Sequence, residues 1–167
     1  MKFKRKTMRI VSGMLTAIAI PIHASTAELH DRITQTKGSF SQTILGIKRL
    51  LRYGIRIEIR IVVSKVNCED INNLAEFIIR EIPQVEYISV IAMEMTGNAF
   101  KNKDRLWIPY KEAFYYASGA INKLINNGTA LSFSYTNRYN LRFVKNHLNM
   151  SIMAQLSRQK FNIFIMN

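Results

Sequence analysis

Apolar residues along this chain recur with two different periods that take turns. Residues 18–23 form a short apolar run, Ile18-Ala19-Ile20-Pro21-Ile22-His23, of the kind a buried strand presents before a loop. Across residues 39–53 the spacing changes: Phe40, Ile44, Ile47 and Leu51 fall on one face of a helix, and Gly54 follows as a stop. Residues 55–63 then alternate strictly, Ile55-Arg56-Ile57-Glu58-Ile59-Arg60-Ile61, before closing on Val62 and Val63, which is a strand signature. Glu69 and Asp70 suit a helix N-terminus, and Ile71, Leu74, Ala75, Ile78, Ile79 and Ile82 form a stripe ended by Pro83. Residues 85–92 are rich in β-formers and predict another strand, followed by a polar connection over 93–106. Pro109 opens a helix carrying Phe114, Ala117, Ile121, Leu124 and Ile125, Gly128 ends it, and 130–135 is the next strand.

The order β-α-β-α-β-α-β predicts an α/β fold of about four parallel strands, joined by right-handed crossovers and covered by helices. Four strands make half a barrel, since a complete (β/α)₈ barrel takes about 250 residues. Three regions follow. Residues 1–17 are a basic and apolar leader or helix, 18–135 the strand-and-helix unit, and 136–167 a basic tail with only partial helical spacing at Leu141, Val144 and Leu148.

Charge changes this picture little. The chain has 167 residues, with 24 Lys and Arg against 11 Asp and Glu for a net charge of +13, which admits a non-enzymatic module binding nucleic acid or an anionic surface. The excess sits at the ends, in Lys2, Lys4, Arg5, Lys6 and Arg9 and in Arg138, Arg142, Lys145, Arg158 and Lys160. The N-terminus also resembles a secretory signal, with small residues for cleavage at Ala24-Ser25-Thr26-Ala27. Its apolar run is too short to span a bilayer. A cytoplasmic chain is the expectation, with secretion as the alternative. A single cysteine, Cys68, excludes an internal disulfide and a cluster held by several thiolates of this chain, and His23, His30 and His147 show no metal-ligand spacing.

Several short motifs occur in order. His30-Asp31 is followed by Lys37-Gly38-Ser39-Phe40, Thr43-Ile44, Gly46-Ile47, and then by the strand that runs through Val63-Ser64-Lys65-Val66-Asn67. Leu74-Ala75-Glu76-Phe77-Ile78, Met93-Glu94-Met95-Thr96-Gly97 and Leu106-Trp107-Ile108-Pro109 continue the series. Together they resemble the second half of radical-SAM peptide maturases, most narrowly the maturase of the His-Xaa-Ser system. The resemblance implies a partial barrel of the radical-SAM type over residues 18–135. It also implies S-adenosylmethionine and a [4Fe–4S] cluster as cofactors, with a peptide substrate and a partner maturase in full-length relatives. The cluster is not expected to bind this chain, because the C-x₃-C-x₂-C loop and the G-G-E-P-like turn of the family are absent. An Arg that some relatives place three residues after the H-D pair is Thr34 here. The expectation is an incomplete maturase, inactive alone, with an open face prone to self-association.

By the same resemblance, Ser25, Arg60 and Asn67 are the cofactor-binding candidates, and Glu58 and Glu94 the substrate-facing ones. No catalytic residue and no metal ligand is assigned. The plainer readings are an ordinary loop serine for Ser25, a solvated strand face for Glu58 and Arg60, and a turn residue for Asn67.

Overall fold

The structure is a computed structural model and describes residues 17–85, 87–136 and 139–143. Strand β1 (Ile18–Pro21) leads into helices α1 (Ala27–Thr34) and α2 (Ser39–Arg52). Strand β2 (Ile57–Val63), a single 3₁₀ turn (Cys68–Asp70) and helix α3 (Ile71–Glu81) follow, then strand β3 (Tyr87–Ala92). Two short helices, α4 (Gly97–Lys101) and α5 (Lys103–Leu106), precede the long α6 (Tyr110–Asn126), and strands β4 (Ala130–Thr136) and β5 (Tyr139–Phe143) close the series.

The five strands form one sheet in their order along the chain. β1 through β4 are parallel neighbours, Ile20 opposite Ile59, Ile59 opposite Ile88 and Ile88 opposite Leu131, while β5 runs antiparallel to β4. Alternation along β2 decides the layering. Ile57, Ile59, Ile61 and Val63 are buried on one face together with Ile88, Val90 and Leu131, against Ile71, Leu74 and Ile78 of α3 and Ala117, Ile121 and Leu124 of α6. The other face carries Glu58, Arg60 and Val62. Helices α3 and α6, with Ile47 of α2, pack into this one core, as sequential strand order with crossovers of one hand predicts.

Three local features depart from the expected pattern. Residues 27–34 form a helix rather than a loop: Thr26 caps it, its hydroxyl accepting from the Leu29 N–H, with Glu28 in the first turn and Arg32 in the last. The polar connection over 93–106 contains α4 and α5, and the Lys65 N–H donates to the Leu106 carbonyl at 2.8 Å, tying the end of α5 to the end of β2. Helical spacing at Leu141 is overturned by β5, whose backbone completes the edge of the sheet. The leader 1–16 and the tail beyond 143 lie outside the described residues.

Gly38 shows why the entry to α2 needs its glycine. Its φ of +82° is left-handed, and its N–H points at the Asp31 carboxylate. Asp31 also accepts from the Phe40 N–H and the Ser39 hydroxyl, both at 2.9 Å, so one side chain of α1 satisfies the orphan donors that open α2.

Candidate functional site

In a parallel sheet the side chains free to do chemistry gather where the strands end, because the loops leaving those ends converge there. Three of the five candidates lie at or beside that edge. Ser25 follows β1, Asn67 follows β2 and Glu94 follows β3, while Arg60 is the central residue of β2 with Glu58 one pleat behind it.

The geometry gives two of them internal partners. Ser25 donates twice to Asp70, from its N–H to Oδ2 at 2.7 Å and from its hydroxyl to Oδ1 at 2.6 Å. Asn67 is buried, and its amide is filled at all four positions. Its Nδ2 donates to the His23 carbonyl at 2.8 Å and the Val62 carbonyl at 2.9 Å, while its Oδ1 accepts from the Ser64 N–H at 2.8 Å and the Ser64 hydroxyl at 3.0 Å. Each bond set joins segments more than 40 residues apart, so both residues act as ties between β1 and β2.

Arg60 and Glu58 occupy the face opposite the one that the described core helices cover. Arg60 Nε is 3.0 Å from Glu58 Oε1, and the Ser89 hydroxyl donates to the same carboxylate oxygen at 2.7 Å from β3. The arginine side chain is 51% exposed and the glutamate 19%, so the carboxylate is held down on the sheet and the guanidinium stands out from it.

Sequence reasoning did not single out the histidine pair beneath β1. His23 and His30 lie with ring centroids 5.3 Å apart, and the His23 N–H donates to His30 Nδ1 at 3.2 Å. The stack continues from His30 to Phe40 at 5.4 Å and from Phe40 to Phe77 at 5.3 Å, crossing α1, α2 and α3. Burial pushes both imidazoles below the ordinary histidine range, more than the neighbouring Asp31 carboxylate pulls His30 back up. Asp31 itself lies below the usual carboxylate range, chiefly through the bond from the Phe40 N–H. Asp31 lies seven residues ahead of Gly38 and inside the preceding helix, so no local capping pattern signals its contact with Phe40.

Cys68 is buried, its Sγ 3.7 Å from the Lys65 carbonyl, and burial pushes its thiol up. Among the described residues no three His, Cys, Asp or Glu side chains gather as metal ligands. A cleft of about 410 Å³ lined by Lys48, Leu51, Arg52, Glu81 and Gln84 lies at the opposite end of the sheet, beside the helix ends that lead into β2 and β3. Ala24 is fully buried, so a cut at the small-residue stretch would remove β1 from the sheet. Among the described residues no helix is long and apolar enough to cross a membrane.

Fold and site define an α/β protein with four parallel strands in sequential order, helices on one face, and polar residues on the other face and at the strand ends. No protein-family model matches the chain, and no curated protein matches it. Among solved structures the chain is similar to the crystal structure of Streptococcus suis SuiB, with a TM-score of 0.56 and 16% identity over 82% of this chain. The likeness is one of fold. The chain corresponds to 31% of the length of that protein.

Proposed function

We propose that this chain is part of a radical-SAM peptide maturase, similar to those of the His-Xaa-Ser system, and that it lacks the means to run radical chemistry alone. The observation that carries the reading is the winding of the sheet. Four parallel strands in strict order, with the described core helices on one side, are what half of a barrel wall would present, whereas a doubly wound sheet reverses its strand order and is covered on both sides. On this reading the face of Glu58, Arg60 and Ser89 is the lining of the barrel, and the ends of β1 to β3 form its functional rim.

The implied cofactors do not fit the residues present. A [4Fe–4S] cluster needs several thiolates, and the one cysteine, Cys68, is buried with its thiol stabilised in the protonated form. Ser25 and Asn67, which the resemblance assigns to S-adenosylmethionine, are already bonded within the fold, and Arg60 is paired with Glu58. The role left to this chain is that of a scaffold whose cluster-binding part lies elsewhere.

Anaerobic reconstitution of the full chain with iron and sulfide, followed by iron counting and the sulfur-to-iron absorption band, tests the incompleteness. The expected result is no stoichiometric cluster. One cluster per chain would overturn it. The family reading is tested separately on genomic DNA upstream of the Met1 codon: codons for a C-x₃-C-x₂-C loop there, in frame or interrupted, support it, and their absence removes its support.

A further inference from the structure

The chain leaves β1 through residues 23–26, and three side chains from other elements hold it there. The Asn67 amide donates to the His23 carbonyl, Asp70 accepts from the Ser25 N–H and hydroxyl, and Nδ1 of His30 in α1 accepts from the His23 N–H at 3.2 Å. The first two ties use an amide and a carboxylate. The third uses an imidazole nitrogen, which accepts only while it carries no proton. That imidazole is 2% exposed and lies between the rings of His23 and Phe40.

We propose that His30 is an acid-sensitive latch: on taking up a proton it lets go of the His23 N–H and releases residues 23–26 from the strand-end edge. Donors and acceptors decide this. In the neutral ring the bond from the backbone keeps Nδ1 bare and the proton on Nε2. An imidazolium donates from both nitrogens, so no rotation of the ring restores an acceptor, and two N–H groups would face each other in a place water reaches poorly. The groups that act on His30 do not remove the conflict. The His23 ring opposes a second charge, and the Asp31 carboxylate favours one but is committed to the Gly38 and Phe40 N–H groups and the Ser39 hydroxyl that open α2. From α2 comes the neutral ring of Phe40, with Phe77 of α3 behind it, and Asp70 on the 3₁₀ turn is held by Ser25 and Asn73. Ile22 stays anchored, its N–H donating to the Arg60 carbonyl at 3.0 Å, so the release begins after it. It carries the His23 carbonyl away from Asn67 and Ser25 away from Asp70. The latch stands on this geometry and is independent of the maturase reading.

Amide hydrogen exchange on the full chain, between about pH 7 and pH 5, tests it together with the ring-nitrogen NMR shifts of His30. Protection factors are compared, so that the ordinary pH dependence of exchange cancels. At neutral pH the His30 ring is expected to carry its proton on Nε2. As it titrates, the His23 and Ser25 amides should lose at least about tenfold in protection with the same midpoint, while the amides of β2 and β3 keep theirs. His30→Gln retains an acceptor that does not titrate and should abolish the loss. His23→Phe removes the neighbouring titrating ring but keeps the backbone N–H, and should retain the loss at an equal or higher pH. A neutral His30 with its proton on Nδ1 overturns the proposal. So does protection at His23 and Ser25 that is indifferent to the His30 titration, or a loss shared by the whole sheet, which is global unfolding rather than a latch. A ring that stays neutral until the chain unfolds overturns it as well. The wild-type series decides between these outcomes even if a variant fails to fold.

Discussion

Asn67 uses the full capacity of its amide inside the fold, two donors toward the ends of β1 and β2 and two acceptor positions toward Ser64. Truncating it leaves the Ser64 N–H and the carbonyls of His23 and Val62 without that partner in a place water reaches poorly. Asn67→Ala is therefore expected to lower the unfolding free energy by about 3 kcal/mol, read from urea denaturation, since each buried group left unsatisfied costs on the order of 1–3 kcal/mol. Ligand binding at Asn67 would have to break these bonds first. The histidine pair makes a second prediction. Both imidazoles titrate below their ordinary range, so the unfolded chain takes up protons before the folded one does. The stability this confers is complete above a pH of about 6.5, the unfolded value, and is lost as pH falls from there through the lower folded values. His30→Gln, which cannot take a proton, should flatten that part of a thermal-melt series over pH. Asp31 adds a separate loss with its own range: its folded value is depressed, so its contribution is complete above about pH 4 and disappears as pH falls through the folded value.

Helices α3 and α6 meet at Gly119, and the contact is close. A Cβ built on that glycine would overlap Asn72 Oδ1, while the Asn72 amide reaches the Tyr116 carbonyl at 3.4 Å. Alanine at 119 gains about 1 kcal/mol of helix propensity and loses a similar amount by pushing Asn72 aside. Gly119→Ala should therefore be near neutral in the wild-type chain and stabilising by about 1 kcal/mol when Asn72 is already alanine, a coupling that a double-mutant cycle measures. Additive behaviour would show that the two helices do not approach so closely.

At this scale the strands of the parallel sheet were legible from the chain, because β2 alternates over seven residues and α2, α3 and α6 each carry a full apolar stripe. Helix α1 was not, since it is eight residues long and its buried residue is His30, which no apolar count registers. β5 was misread although Tyr139, Leu141 and Phe143 alternate with Asn140 and Arg142. Spacing from Leu141 to Val144 and Leu148 suggested a helix instead. The candidate positions Ser25 and Asn67 were found, but their partners were not. Asp70 is 45 residues from Ser25 and His23 is 44 from Asn67, distances that no local pattern spans.

For the whole molecule, the N-terminal edge carries more than four strand residues. β1 places Ile22 and Ala24 in full burial, supplies the carbonyl that Asn67 holds, and is followed by the serine that Asp70 holds. A chain beginning at Ser25 is expected to lose more than about 3 kcal/mol, from the burial of Ile22 and the pairing to β2 together, and so to lose its cooperative unfolding transition. A truncated chain that melts like the full one would show that β1 is dispensable.

The sheet's strand order also bears on how the protein is made. Every strand from β2 to β5 pairs with the one synthesised just before it. The growing polypeptide can therefore add each strand to an existing edge as it leaves the ribosome, with no early strand left waiting for a late partner. β5 is the exception in direction alone, since it runs back along β4.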